Sequence, residues 1–423
     1  KRSLSDATRT TAMIMLLVAG AIVFGRFMAV SKIPFELASW VSLLDLPAYA
    51  VMALILLIYL VLGFFIDALA LVLLTIPIFY PVVVNTLGYD PIWFGIVVVM
   101  VVAMGIITPP VGMNVYVIKG DDRTVLFDTG FNAPESEEAL RTGLKELDLE
   151  LEDVEVVLTH LHSDHVGLVN LFDDAGCKVY AGEVDGELMN IMSGMEYWED
   201  MRSLFPLYGM NEDEIITGEN PAFKHRLPKP VDFIPLKIGE EFVVGDYRFE
   251  ILDLAGHTPG HIGLYDADKK IIFSADTILD PITPNITFWG FEYENILNTY
   301  VETLKRLKKL DLERAMATHR KIVENPSERM TEIIEHHNER LTEILDAMTG
   351  DEAWTVRNIS ANISWRIPMK GWDNFPASQK WFATGETMAH LHHLVHTNCV
   401  DMKNEEGTLY FKKLKDEIVP FTV

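Results

Sequence analysis

Cysteine is nearly missing from this chain, with only Cys177 and Cys399 among 423 residues. That excludes a disulfide scaffold and a cysteine-rich zinc module, and it fits a reducing compartment. Basic side chains are also scarce, 35 Lys and Arg against 61 Asp and Glu, for a formal net charge of −26. A field of that sign repels a polyanion and argues against binding driven by nucleic-acid phosphates. The local basic run Lys305, Arg306, Lys308 and Lys309 reads as the solvated face of a helix. No Gly-x-Ser-x-Gly occurs and neither cysteine sits in a motif, so a covalent acyl-enzyme is disfavoured.

Charge is scarce in the first quarter. Up to Val115 there are five basic and five acidic residues, so the whole −26 lies downstream. Stretches 46–66, 68–89 and 91–118 carry no charge, and Ala12 to Val30 is broken only by Arg26. A membrane-spanning helix needs roughly 20 apolar residues, so these stretches predict transmembrane helices. They are too long for a signal peptide, whose apolar core is about 7–15 residues. Pro77, Pro81, Gly105, Pro109, Pro110 and Gly112 interrupt them, as in broken helices that line a cavity or pack within protein.

With Asp67, Pro77, Pro81 and the loop ITPPVGMN at Ile107–Asn114, this region resembles the late portion of the large permease subunit of TRAP-type transporters. The resemblance covers about residues 10–118, a minority of such a permease. A midplane transport site needs both inverted repeats. The expectation is a membrane segment without independent transport ability.

Beyond Met113 the pattern changes to short alternating strands. MNVYVIK, Gly-Asp-Asp and RTVLFDTG read as a hairpin. Residues 135–147 read as a helix, and VEVVLT at 154–159 as a buried strand. That strand runs into His160-Leu161-His162-Ser163-Asp164-His165. His160 and His162 alternate to the same side, and the following turn aims Asp164 and His165 at a neighbouring point. Imidazoles and carboxylates suit Zn(II) and similar divalent ions, and the density of the cluster suggests two metals. Three further strands end in ligand-capable residues: YRFEILDLA before GHTPGH (256–261), KIIFSAD at Asp276, and RAMATHR at His319.

This order of motifs, with LFDTG at 126–130, resembles the metallo-β-lactamase-fold hydrolases. The resemblance implies an α/β fold, an αββα sandwich. It implies that His160, His162 and His257 hold a first metal and that Asp164, His165 and His319 hold a second. Asp276 would bridge the two, with Asp164 and Asp276 catalytic as well as ligating. Asp128 would orient a ligand or the metal-bound water, and His261 would support a ligand or touch substrate. The ions implied are two divalent metals, Zn(II) foremost with iron or manganese as alternatives, supplying a bridging hydroxide to a carbonyl.

Residues 190–230 break the strand rhythm and are rich in Met, aromatic and acidic residues. They predict a helical flap in which Tyr197, Trp198 and Tyr208 contact substrate. Residues 326–348 read as a charged amphipathic helix with His336 and His337 exposed. ETMAHLHHL and EEGTLYFKK then resemble the C-terminal extension of some of these hydrolases, helices followed by a winged-helix-like hairpin. No His-Glu-x-x-His spacing occurs there, so His390, His392, His393 and His396 read as packing or rim residues. The extension lacks a basic recognition helix, which leaves a lid or homodimer contact as its role.

The sequence thus divides into a transmembrane segment at 1–113, a hydrolase domain at 114–325 and a C-terminal extension at 326–423. The expected function is hydrolysis of an ester, thioester or lactone, with a small-molecule substrate and no nucleic-acid partner. Alternatives are a membrane transport component with an appended hydrolase-like domain, or a phosphodiesterase or ribonuclease on the same fold. The hydrolase is expected in the cytoplasm, at the membrane through the N-terminal segment. It would be free there if the seam at 114–120, which fits both resemblances, is a joining artefact.

Overall fold

The computed structural model describes residues 47–63, 68–107, 114–211, 214, 221–350, 352–365 and 371–422, with positions 20, 24, 26, 27 and 31. It separates the chain into two compact units, Lys1–Gly112 and Met113–Val423.

In the first unit, three apolar helices are α1 (Ala48–Gly63), α2 (Ala68–Tyr80) and α3 (Pro91–Ile107). Val51, Met52, Ile55, Tyr59, Leu71 and Phe94 form their shared core. Pro77 is carried inside α2, and at Pro81 the chain passes into a π-helical turn, Pro81–Thr86. Among the described residues, no helix is long and apolar enough to cross a membrane. At 16 and 17 residues, α1 and α3 extend about 24 and 26 Å, short of a hydrocarbon core of about 30 Å. Most of the apolar stretch 12–30 and positions 108–113 of the ITPPVGMN loop lie outside the described residues.

The second unit is built on two five-stranded sheets. The first, in order β1-β2-β3-β4-β5, comprises Tyr116–Lys119, Thr124–Phe127, Val154–Leu158, Val179–Gly182 and Ile234–Leu236. Its first pair is the antiparallel hairpin, and the others are parallel. The second sheet, in order β10-β9-β8-β7-β6, comprises β6 (Glu241–Val244), β7 (Tyr247–Asp253), β8 (Ile262–Asp266), β9 (Ile271–Phe273) and β10 (Arg314–Met316).

Period-two patterning sorts their side chains into layers. Val125, Phe127, Val157, Phe249, Leu264 and Phe273 meet between the sheets. The alternate residues Leu126, Val156 and Leu158 face α4 (Pro134–Glu146) and α5 (Glu183–Ser193). On the other side, Tyr265, Ile272 and Ala315 join a core with Leu297, Tyr300, Ile333 and Leu391. Those residues come from α7 (Ile296–Leu307), α8 (Pro326–Ala347) and α10 (Ala377–His396). The α6 helix (Met195–Met201) follows α5 in the flap. The result is the expected αββα sandwich.

The C-terminal residues share that third core. After β11 (Trp354–Thr355), the Thr355 hydroxyl caps α9 (Val356–Asn362). A hairpin of β12 (Val400–Glu405) and β13 (Thr408–Lys413) completes a sheet in order β11-β13-β12. Glu406 and Gly407, both at positive φ, make the two-residue turn that matches strand twist. His337 departs from the sequence expectation: it is buried, not exposed. Ile333 and Leu341, four residues to either side, place it on the apolar stripe of α8, where its Nδ1 meets His390 Nε2 at 3.0 Å.

Phe249 is buried between the sheets against Phe127 and Phe273. Phe249→Ala is expected to lower unfolding free energy by about 3–5 kcal/mol in equilibrium denaturation. A loss below about 1 kcal/mol would contradict this account of the core.

Candidate metal centre

Strands β7, β9 and β10 run in one direction, because β8 is antiparallel to both neighbours and β10 is parallel to β9. Their C-terminal ends therefore share an edge. Ile262 N–H donates to the Thr159 carbonyl at 3.0 Å, which brings the loop after β3 to the same place. Two glycines in the GHTPGH loop are required by contact. A Cβ at Gly256, whose φ is +144°, would lie 2.5 Å from Tyr300 Cα, and one at Gly260 would lie 2.4 Å from Asp185 N.

Ligand-capable atoms converge there in three overlapping groups: His160, His162 and His257; His160, His165 and Asp276; and Asp164, His165 and His319. Within each group the atoms lie within 4.8 Å of one another. Oδ2 of Asp276 is 3.6 Å from Nε2 of His165, 3.6 Å from Nε2 of His257 and 3.4 Å from Nε2 of His319. His319 Nε2 also contacts Asp164 Oδ2 at 3.1 Å.

The far side of four of these side chains is fastened by the chain. Asp128, held at φ 60°, accepts the Thr159 N–H and hydroxyl at 2.8 Å each, and its Oδ2 takes the His165 Nδ1–H at 2.8 Å. The Thr159 hydroxyl in turn meets His160 Nδ1 at 3.1 Å. His257 Nδ1 donates to the Asn285 carbonyl at 2.9 Å, and the Thr318 hydroxyl donates to Asp276 Oδ1 at 2.6 Å. These partners fix the tautomers of His165 and His257 with Nε2 as the lone-pair nitrogen facing the centre.

Both of those Nε2 atoms are buried without a hydrogen-bond partner in the protein. Leaving a buried polar atom unpaired costs about 1–3 kcal/mol, so a cation accepting their lone pairs fits this donor set. The charges agree. Burial works to raise Asp164, but His165 and His319 outweigh it and hold the carboxyl at about 2. Burial is likewise outweighed at Asp276, which His165 keeps well below the carboxylate range. Burial, with His257 adding to it, pushes His162 down to about 3. Burial would also lower His319, yet hydrogen bonds to Asp164 and Asp276 raise it to about 9.

His261 stands apart. It is fully buried, its ring stacked on His160 at 4.6 Å, with Nδ1 donating to the Ile262 carbonyl. It is not among the residues that line the cavity beside the cluster.

A cavity of about 380 Å³ opens on this cluster. His162, Asp164, His257 and Asp276 form its polar floor, and Phe131, Met192, Tyr197, Trp198, Met201, Phe288, Trp289, Trp381 and Phe382 its apolar walls. Of the three expected substrate contacts, Tyr197 and Trp198 line it. Tyr208 does not; it is buried with its ring over Trp381 at 6.0 Å. No Lys or Arg lines the cavity among the described residues.

Sequence reasoning did not find several supports. The Asp185 carboxylate accepts Leu161 N–H at 3.0 Å, the Thr258 hydroxyl at 2.6 Å and Gly260 N–H at 2.6 Å. It thereby joins the His160–His165 loop to the His257–His261 loop. Glu386 on α10 takes the Asn285 side-chain amide at 3.0 Å beside Arg340. Nothing local in the sequence marks either residue. Thr318, by contrast, is signalled by standing next to His319.

Residues 108–319 match the family model of the metallo-beta-lactamase superfamily, and residues 373–414 that of the metallo-beta-lactamase-like C-terminal domain. Residues 1–124 match the DctM component of the tripartite ATP-independent periplasmic transporters, so the two larger matches overlap over 108–124. An acyl-coenzyme A thioesterase of Homo sapiens is 26% identical over 206 residues, covering 47% of this chain and 67% of that protein. A C4-dicarboxylate TRAP transporter large permease protein of Pseudomonas aeruginosa is 36% identical over 114 residues, 27% of this chain. The chain spans 26% of that permease's own length. Among solved structures, a metallo-beta-lactamase family protein from Thermus thermophilus aligns with TM-score 0.62 and 27% identity over 71% of this chain and 94% of its own. A beta-lactamase domain protein from Burkholderia ambifaria shares the fold, with TM-score 0.57 and 20% identity over 71% of this chain and 88% of its own.

Asp185→Ala is expected to weaken metal affinity about 10- to 100-fold, read by competition with a chelating dye; unchanged affinity would contradict its joining role. Glu386 yields a pH prediction. Burial raises it from 4.5 to about 7. Its contribution to stability is therefore full below the unfolded value and lost as pH rises through 7. Glu386→Gln should melt higher than wild type at pH 8 but not at pH 5. An equal offset at both pH values would contradict this.

Proposed function

The chain belongs to the metallo-beta-lactamase superfamily, and from that premise we propose that residues 113–423 are a two-metal hydrolase of thioesters with an apolar acyl group. Metal-dependent hydrolysis comes with the superfamily and its hydrolase relatives. The single observation that carries the finer reading is the cavity: an anionic and imidazole floor under aromatic and methionine walls. An apolar acyl chain gains from such walls. A phosphodiester brings negative charge to a lining without Lys or Arg. The thioesterase relative in Homo sapiens, named for its action on acyl-coenzyme A, agrees with this choice.

In this reading His160, His162 and His257 hold one ion, Asp164, His165 and His319 the other, and Asp276 lies between, with Zn(II) the leading candidate. When bound, the ions polarise the substrate carbonyl and make water a competent nucleophile at neutral pH. The chain supplies orientation. Asp128 aims His165, and through Thr159 it aims His160, while Thr318 turns Oδ2 of Asp276 inward. Asp164 stays anionic across the working pH range. Tyr197, Trp198, Trp381 and Phe382 exclude water from the acyl side.

The same reading takes 114–325 as the hydrolase domain and 326–423 as a winged-helix-like extension that lends α10 to the cavity. Residues 1–113 are read as a membrane-associated segment, with the hydrolase on the cytoplasmic side. The outward apolar residues Leu54, Leu57, Ile96, Val99 and Met100 support that association.

Two metal equivalents per chain are expected in purified protein by elemental analysis. His162→Ala should lose metal together with at least a hundredfold of thioester turnover. Full turnover in metal-free protein, or phosphodiester cleavage faster than thioester cleavage, would overturn the proposal.

A further inference from the structure

Outside the metal-ligating cluster, Glu214 is a buried acidic group held by two cations. Glu214 is 1% exposed. Its carboxylate accepts Arg357 through Nε and Nη2 at 3.0 Å each, Lys380 Nζ at 3.0 Å, Trp372 Nε1 at 2.6 Å and Asn211 N–H at 3.1 Å. A carboxylate is taken out of water at this depth only when its lone pairs are filled by such donors. Burial alone would raise Glu214, but these bonds, Arg357 first, hold it at about 2.

What Glu214 joins is specific. It belongs to the flap, whereas Arg357, Trp372 and Lys380 belong to the C-terminal extension. Around it the same two pieces meet repeatedly. Arg357 N–H donates to the Tyr208 carbonyl at 3.0 Å, and the Thr408 hydroxyl to the Pro206 carbonyl at 3.1 Å. Phe205 and Tyr208 lie against Trp381 at 4.8 and 6.0 Å. A Cβ at Gly209, φ +71°, would stand 2.9 Å from Thr355. The chain positions beside these contacts are cavity walls: Met201 and Leu204 just before Phe205, and Trp381 and Phe382 just after Lys380.

We propose that Glu214 is a positioning residue for substrate selection: its grip on Arg357, Lys380 and Trp372 fixes the Trp381–Phe382 wall against the flap and so sets the length of acyl group the cavity accepts. The proposal rests on the thioester reading above. A fixed wall gives each buried methylene its full contact, about fourfold in affinity per CH₂. A loosened wall flattens that gain without touching the metal ligands.

The test compares metal-loaded wild type with Glu214→Gln on acetyl, butyryl, hexanoyl and octanoyl thioesters. Wild-type kcat/KM should rise about fourfold per methylene up to a limit. In Glu214→Gln, KM for the octanoyl thioester should rise about tenfold at nearly constant kcat, with acetyl thioester turnover within twofold of wild type. Arg357→Lys, which keeps the charge but loses the two-point grip, should show a smaller shift and serves if Glu214→Gln fails to fold. Decanoate binding, read by fluorescence of the wall tryptophans, tests the same wall without turnover and should weaken about tenfold. Equal losses on acetyl and octanoyl thioesters, or unchanged decanoate affinity, would overturn the latch. A wild type that hydrolyses no thioester would overturn the reading of the site, and decanoate affinity would still decide the latch.

Discussion

Oδ2 of Asp276 lies within 3.6 Å of three imidazole nitrogens carried by three separate loops. Two of those nitrogens, on His165 and His257, are buried with no hydrogen-bond partner in the protein. So dense a set of donors is costly to desolvate, and the surrounding structure is arranged around that cost. Asp128, Thr159, Asn285 and Thr318 hold the outer atoms of His165, His160, His257 and Asp276, and Asp185 ties the His160–His165 loop to the His257–His261 loop. Strand direction does the rest, by ending β7, β9 and β10 on one edge.

The charge of the chain acquires a more specific meaning from this arrangement. All of the −26 belongs to residues beyond Val115, yet the cavity wall is aromatic and methionine-rich. Several interior carboxylates are paired: Asp276 and Asp164 with imidazoles, Glu214 with Arg357 and Lys380, Glu386 beside Arg340. An apolar chamber over a polar floor suits a substrate whose reacting carbonyl carries an apolar tail. The first unit is built differently, with a small core and outward-facing Leu54, Ile96 and Val99.

Much of the site was legible from the residues because its signals are short. A strand followed by His160-Leu161-His162 fixes a side by alternation, and the turn that follows needs only three more positions. The strands that present His257, Asp276 and His319 are marked by their own apolar runs. Other features depend on contacts no local pattern records. Asp185 meets Thr258 across 73 positions, and Glu214 meets Lys380 across 166. His337 was hidden by the charged residues around it, although Ile333, Ile334 and Leu341 place it on the buried face. Tyr208 has the composition of a substrate contact, but its backbone position turns it toward Trp381. In the first quarter the charge-free runs exceed the described helices, because Pro81 ends α2 and an undescribed stretch follows α3.

The central claim is that two ions occupy the space on either side of Asp276. Anomalous diffraction at the metal absorption edge, from crystals of the loaded chain, tests it most directly. Two peaks are predicted, one within bonding distance of His160, His162 and His257 and the other of Asp164, His165 and His319. A single peak in fully loaded crystals, or peaks remote from Asp276, would contradict the account.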